Sequence, residues 1–227
     1  MNDLIETLPV VALRGMTILP GMVIHFDVSR ERSVKAIEQA MLKEQRIFLV
    51  TQKDVQVEQP GPEDLYRIGT IASVKQVIKL PHNVIRVLAE GLEKAELSHF
   101  SQDGEFLEAE VIRFESEDAL ENLDPAYGEA MVRNLSETFH LYCRESGKVG
   151  KELERQITET ADLEKLMKEI MINLPLYYED KQKLLETVTL SDRYELLCAQ
   201  MNKEIEVLRF KRELQEKVKA RVDKNQR

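Results

Sequence analysis

The stretch from Leu8 to Arg30 is the feature that most constrains how this chain can fold. Two apolar runs, Pro9–Leu13 and Met22–Phe26, flank a link that contains two glycines and a proline. Short apolar runs rich in Val and Ile and bounded by Gly and Pro are typical of buried strands. Ser29 then offers a side-chain oxygen that could cap a following helix, whose aliphatic face of Val34, Ile37 and Met41 is predicted to be core. A third strand is predicted at Ile47–Thr51.

Most of the remaining first half alternates apolar and polar residues, as strands with one buried face do. We predict a hairpin formed by Ile68–Leu80 and Val84–Ala89, because Pro and Asn between them favour a turn. A second strand pair is predicted at Glu93–Phe100 and Glu105–Phe114. Residues 1–117 are therefore predicted to form a mainly antiparallel β domain with one helix.

The pattern becomes helical after the acidic segment Glu115–Glu121, which is the predicted boundary. Asp124 and Pro125 suit the cap and the first position of a helix. This helix is predicted to carry Phe139 on an apolar stripe and to end near Gly147. Three further helices are predicted, at Glu152–Glu159, Asp162–Asn173 and Glu179–Val188. Residues 118–190 are therefore predicted to form a small helical bundle, which makes the whole chain an α+β protein.

The last segment, residues 191–227, contains neither Pro nor Gly. Ser191 could cap a helix, and a helix from Asp192 to Arg227 would be about 54 Å long. A domain the size of the first half has a radius of gyration of roughly 13 Å, so this helix cannot lie fully against such a domain. We expect its front half to pack on the bundle and its back half to project. A projecting helix needs a continuation or a partner, so we expect the chain to be part of a longer protein.

The composition weighs against nucleic acid and membranes as partners. A net charge of −9 repels phosphate backbones, and the absence of Trp leaves few rings for base stacking. No run of about 18 apolar residues occurs, so no membrane-spanning helix is predicted. Cys143 and Cys198 are isolated and no signal peptide is recognisable at the start, which predicts free thiols and a cytoplasmic location.

No motif marks a catalytic, cofactor-binding or metal-binding residue. The nearest approach to a phosphate-binding loop is Gly150-Lys151, but Glu145 and Glu152 stand where that loop needs Gly and Ser or Thr. The four histidines are dispersed, and neither a zinc-ligand pair nor a G-x-S-x-G elbow occurs. Because no catalytic, cofactor or metal motif is present, the sequence predicts a binding function.

The link between the first two strands is the predicted contact surface for a substrate or partner. It carries Arg14, Met16, Ile18, Leu19 and Met22, and flexible methionines suit apolar contacts with many partners. Arg14 could meet a partner carboxylate. The alternative is that the apolar residues fold back as core and that Arg14 pairs within its own domain. Core is the more frequent role of an apolar cluster.

Seven short motifs, taken in their order, resemble the N-terminal domain of Lon proteases, the ATP-dependent serine proteases. They are Leu8-Pro9 with Leu13-Arg14, Pro20-Gly21, Asp27-Val28-Ser29-Arg30, Ile68-Gly69-Thr70, Lys79-Leu80-Pro81, Ile85 to Gly91, and Leu174-Pro175-Leu176. The resemblance implies a PUA-like fold for the first half. It also implies that the nucleotide site and the Ser–Lys dyad lie downstream of this region. ATP and magnesium are therefore expected only in that downstream module.

The leading hypothesis, which follows from the resemblance, is a non-catalytic recognition region of a Lon-type protease. It would capture unfolded or damaged proteins, and its long helix would support hexamer assembly and coupling to the ATPase ring. Two alternatives stay open. One is an RNA-binding PUA-like module, which the acidic charge opposes. The other is a structural coiled-coil adaptor, which would depend on the last segment alone.

Overall fold

The computed structural model describes residues 4–101, 103–114 and 123–225. The strands are β1 (Ile5–Leu13), β2 (Val23–Val28), β3 (Arg46–Thr51), β4 (Ile68–Lys79), β5 (Ile85–Ser101) and β6 (Glu108–Arg113). The helices are α1 (Glu31–Met41), α2 (Pro125–Ser146), α3 (Lys151–Thr158), α4 (Leu163–Asn173), α5 (Tyr178–Glu186) and α6 (Leu190–Asn225). The boundary predicted at Glu115–Glu121 lies outside the described residues.

The described residues fall into two compact units. The β unit comprises residues 4–114 together with Pro175–Glu186, and the helical unit comprises residues 123–174 and 187–225. The predicted bundle, residues 118–190, included α5. In the structure α5 contacts β4 and belongs to the β unit. None of the described helices is long and apolar enough to cross a membrane.

Five strands of the β unit close into a ring. β1 pairs with β3 and β6, β3 pairs with β4, β4 with β5, and β5 with β6. Among the described residues β2 pairs with β5 alone, so it forms the edge of the sheet. The β1–β3 pair is parallel and the other pairs are antiparallel, as predicted for a mainly antiparallel domain.

The ring gives the β unit two hydrophobic clusters, because successive side chains of a strand point to opposite faces. Val10 belongs to one cluster with Phe48, whereas Val11 belongs to the other with Ile37 of α1. Each of these four side chains is at most 2% exposed. The alternation that predicted strands in the sequence thus supplies two layers of core.

Helix α1 differs from its prediction at its start and on its buried face. Arg30 is the N-cap residue, not Ser29, and no side chain caps the helix. Met41, predicted to be core, is 37% exposed. The buried face is instead formed by small residues around Ile37, which let the helix approach the sheet closely: Ser33, Ala36 and Ala40.

Strand β5 runs unbroken through Gly91, where the sequence predicted a break between two strands. A Cβ atom at Gly91 would lie 2.5 Å from the carbonyl oxygen of Leu19. Glycine is therefore needed for close approach of another backbone rather than for a turn. The register shift opposite Ile71 and Ala72 absorbs the extra residue, Leu92, as a bulge does.

The helical unit confirms the predicted start of α2. The Asp124 carboxylate accepts hydrogen bonds from the backbone N–H groups of Ala126 at 2.8 Å and Tyr127 at 3.2 Å. Gly147 ends the helix with φ +63°, a conformation that glycine adopts without strain. Phe139, on the predicted apolar stripe of α2, is fully buried.

Helix α6 confirms the predicted long C-terminal helix, with a different cap. Thr189, not Ser191, caps it: the Asp192 N–H donates to the Thr189 hydroxyl at 3.1 Å, and that hydroxyl donates to the Asp192 carboxylate at 2.8 Å. Leu197 and Met201 are buried in the front half, whereas residues 209–224 are all exposed.

Both cysteines are free thiols, as predicted. Cys143 is buried in α2, and its desolvation, followed by the nearby Glu154 carboxylate, raises its pKa to about 12. Burial also raises the pKa of the half-buried Cys198. Because only the thiolate is a good nucleophile, neither thiol has the environment of a reactive cysteine.

Candidate functional site

The link between β1 and β2, residues 14–22, is held to the sheet by its backbone. Gly15 and Gly21 have φ values of +62° and +88°, which L side chains rarely adopt. The Gly21 N–H donates to the Gly91 carbonyl, and the Gly91 N–H donates to the Met22 carbonyl, both at 2.8 Å. These two bonds pair the end of the link with β5.

Thr17 lies at the centre of a buried polar network beneath the link. Its hydroxyl oxygen is 2.9 Å from that of Thr51. The Thr51 hydroxyl donates to the Met16 carbonyl at 2.8 Å. The Thr70 hydroxyl donates to the Ile18 carbonyl at 2.6 Å. The link can be buried because side chains of the sheet satisfy its carbonyl groups.

Gln182 of α5 joins the same network from 114 residues further along the chain than its partner Ile68. Its amide N–H donates to the Ile68 carbonyl at 2.9 Å and to the Glu186 carboxylate at 3.0 Å. The Thr17 hydroxyl lies within 3.4 Å of its amide oxygen. Gln182 is only 1% exposed, so its hydrogen bonds help to hold α5 against the sheet.

The five predicted contact residues divide between core and surface. Ile18 and Leu19 are 2% and 1% exposed, which corrects their assignment as contacts and matches the core alternative. Met16 and Met22 are half-buried against the same cluster as Ile18. Arg14 is exposed. A partner can therefore reach Arg14 and the outer parts of the two methionines, and their contact role stays a prediction.

A cleft of about 1010 Å³ opens beside Arg14, lined by the end of β1, by β2, by the start of α1 and by residues 58–61. Unpaired strand edges contribute to it. β6 pairs with Ile5–Pro9 of β1 and no further, and the Val10 N–H donates to the Leu107 carbonyl. From Val11 onward this edge of β1 has no strand partner among the described residues, and neither has the outer edge of β2.

The cleft carries an excess of positive charge within an acidic chain. Its charged lining residues are Arg14, Arg30, Arg32, Arg86, Asp27, Glu31 and Glu58. The Asp27 carboxylate forms a bidentate ion pair with the Arg86 guanidinium, with N–O distances of 2.7 and 2.9 Å, and this pair lowers the pKa of Asp27. Glu31 pairs with Lys35 at 3.0 Å. Two of the three carboxylates are thus paired with Arg86 and Lys35 rather than with Arg14 or Arg30.

Arg30 is fixed in place by a neutral partner. Its Nη2 donates to the amide oxygen of Gln52 at 2.7 Å, and Gln52, which is fully buried, donates to the Asp54 carbonyl at 2.6 Å. Its Nη1 is buried with no hydrogen-bond partner among the described residues. Burial lowers the pKa of Arg30, and the charge of Arg14 lowers it further.

Arg14 and Arg30 are therefore two neighbouring cations, and neither forms an ion pair with a described carboxylate. Sequence reasoning assigned Arg30 to a family motif but gave it no role. No local signal marks Arg30, because the Gln52 that holds it lies 22 residues further along the chain. The described residues contain no group of His, Cys, Asp or Glu that could hold a metal ion. The arrangement suits binding of an anion.

The sequence matches the family described as ATP-dependent protease La (LON) substrate-binding domain over residues 7–203. A Lon protease from Lachnoclostridium phytofermentans is 49% identical over 227 residues, which is 100% of this chain and 28% of that protein. The chain thus spans less than a third of the length of this curated relative.

Two solved structures share the fold. The N-terminal domain of Mycobacterium avium complex Lon protease matches with a TM-score of 0.67 and 19% identity, over 87% of this chain and 98% of that one. A Lon N-terminal domain protein from Xanthomonas campestris matches with a TM-score of 0.57 and 17% identity, over 86% and 98%. These matches confirm the predicted fold class. The chain belongs to the family of substrate-binding domains of the ATP-dependent protease Lon.

Proposed function

We propose that this region recognises unfolded or damaged proteins for a Lon-type protease and performs no catalysis itself. The observation that carries the proposal is the cleft beside Arg14, with its unpaired strand edges and the half-buried Met16 in its lining; the half-buried Met22 belongs to the same link but lies outside the lining. Unfolded chains expose backbone groups and apolar side chains. A free strand edge can bind the backbone of many sequences, and methionines adapt to many side chains.

Such contacts are individually weak and tolerant of sequence, which suits a protein that must accept many substrates. Several copies around a ring would add avidity to them. In this proposal ATP and magnesium act in other parts of the full-length protease, and the region works in the cytoplasm. The two buried or half-buried free thiols are compatible with that reducing compartment.

Binding to an unfolded and a native form of one protein tests the recognition role. We expect the 227-residue chain to bind reduced, alkylated ribonuclease A with micromolar affinity, and native ribonuclease A at least tenfold more weakly. Fluorescence anisotropy of a labelled ribonuclease measures both affinities. Equal affinities, or no binding at high micromolar concentration, would contradict substrate recognition by this chain.

We also infer that α6 supports self-association, which in the full-length protein would contribute to the hexamer and to coupling with the ATPase ring. Its back half exposes an apolar stripe at helical spacing: Val207, Phe210, Leu214 and Val218 are 50%, 62%, 62% and 61% exposed. Residues three and four apart lie on one side of a helix, so the four side chains form one face. A face of this kind is stabilised by packing against another helix.

Leu214→Glu tests this role of α6. We expect wild-type chain to associate as its concentration rises, and the variant to stay monomeric over the same range, because a carboxylate at the centre of the stripe cannot be buried without a partner. Sedimentation velocity measures the association, and Asn202→Glu introduces the same charge outside the stripe as a control. A wild-type chain that stays monomeric up to about 1 mM, where an interface worth roughly 4 kcal/mol would be half occupied, would reject the inference.

A further inference from the structure

We propose that the cleft beside Arg14 holds an extended polypeptide segment that carries a carboxylate, with the carboxylate facing Arg14 and Arg30. This inference rests on the proposed function and names the chemical class of segment that the site selects. The carboxylate could belong to an acidic side chain or to the end of a chain. Both sources present the same two oxygens to the arginines.

The charges of the cleft indicate where a carboxylate would bind. Arg86 is satisfied by Asp27, and Arg32 donates to the Gly104 carbonyl at 3.1 Å. Arg14 and Arg30 both line the cleft, and neither forms an ion pair with a described carboxylate. Two guanidinium groups repel unless an anion lies near both, and guanidinium matches the geometry of a carboxylate.

The Arg30 side chain is ordered before a ligand binds. Its side chain is held by the fully buried Gln52, so it is already ordered before any ligand arrives. Ordering a long side chain opposes binding, and here that loss of freedom has already occurred on folding. Its Nη1 is buried without a hydrogen-bond partner among the described residues, so a carboxylate that reached this atom would satisfy it.

The unpaired strand edges define the shape of the ligand. Backbone groups of β2 and of Val11–Leu13 border the cleft without a strand partner. An extended segment can pair with such an edge through its own backbone, whatever its side chains are. The backbone then gives general affinity, and the arginine pair adds a preference for segments with a carboxylate.

The chemistry favours a peptide over a nucleic acid. Glu31 and Glu58 also line the cleft, and the chain as a whole carries a charge of −9. A phosphate backbone would bring many negative charges near these groups, whereas a peptide brings one. The local excess of positive charge suits a single carboxylate.

Three labelled peptides of one extended Val/Thr/Ser sequence test the proposal with the 227-residue chain. The first has a central Glu and an amidated end, the second a central Gln and a free carboxylate, and the third a central Gln and an amidated end. We expect at least one carboxylate peptide to bind about fivefold more tightly than the neutral one at low salt. The difference should shrink at 0.5 M salt, because the pair is partly exposed to solvent.

Arg14→Gln identifies the residue responsible. This exposed side chain can be replaced without disturbing the core, so we expect an unchanged melting temperature and a preference below twofold. Arg30→Lys keeps the charge but loses the planar fork, and we expect it to lower the preference about threefold. Arg67→Gln removes an exposed arginine that does not line the cleft and should leave the preference intact.

The outcomes separate this proposal from the proposed function. Equal affinities for all three peptides would overturn the carboxylate site, even if unfolded ribonuclease A still binds. A preference that survives both Arg14→Gln and Arg30→Lys would also overturn it. Selective binding of a carboxylate peptide without binding of unfolded protein would support the site and contradict the recognition role. Tight binding of a short single-stranded RNA that competes with the peptides would assign the cleft to phosphate instead.

Discussion

Replacing Gly91 by Ala is expected to destabilise the β unit by about 3 kcal/mol, which is large for a single added methyl group. The new Cβ would lie 2.5 Å from the Leu19 carbonyl oxygen and 3.2 Å from Cγ2 of Thr70. Leu19 cannot simply withdraw, because Gly21 and Met22 are hydrogen-bonded to Gly91 itself. Chemical denaturation followed by circular dichroism measures the change.

Gly104→Ala is the matched control for this prediction. Its added Cβ would meet nothing closer than the Phe106 carbonyl oxygen at 3.5 Å, an ordinary contact, and its φ is not in the left-handed region. We expect a change of less than about 0.5 kcal/mol there, as at most surface positions. If Gly91→Ala behaved like Gly104→Ala, the link at residues 14–22 would be more adaptable than its hydrogen bonds indicate.

Phe139→Ala is expected to destabilise the helical unit by about 3–5 kcal/mol. Phe139 is fully buried in α2, and its ring stacks on that of Tyr142 with centroids 6.3 Å apart. Deleting the ring removes apolar contacts and leaves a cavity that the surrounding helices can fill only in part. Hydrogen exchange of the α2 amides, together with denaturation, measures the loss.

Phe210→Ala removes the same atoms from an exposed position and controls for the change of side chain itself. Phe210 lies on α6 with 62% of its surface exposed. At a protein concentration low enough to keep the chain monomeric, we expect an effect below about 0.5 kcal/mol. Similar losses for Phe139→Ala and Phe210→Ala would mean that the apolar stripe of α6 is buried in solution.

The candidate site combines a fixed frame with adaptable contacts. Thr17 and Gln182 satisfy buried polar groups beneath the link, and Gln52 orders Arg30 at the edge of the cleft. Preorganised groups lose little freedom on binding, which favours affinity. Met16 and Met22 are only half-buried and have flexible side chains, which favours tolerance of different ligands. A recognition domain with many substrates needs both properties.

The sequence alone determined the elements whose signals lie within a few neighbouring residues. Asp124 with Pro125 predicted the start of α2, Gly147 its end, and the absence of Pro and Gly after Ser191 predicted the long helix. The β pattern predicted a mainly antiparallel sheet. These features depend on local sterics and on hydrogen bonds between near neighbours, which a one-dimensional reading captures. Local rules failed where two candidates competed, as with Ser191 and Thr189 for the cap of α6.

Only the tertiary structure decided which distant residues meet. It brought Gln182 to Ile68 and Thr17, and so placed α5 with the sheet rather than with the other helices. It set Arg14 beside Arg30 at a cleft edged by unpaired strands. It also gave Gly91 its role against the backbone of Leu19. Such contacts follow from how the whole core packs and which buried polar groups must be satisfied, and neither condition is written in any short stretch of sequence.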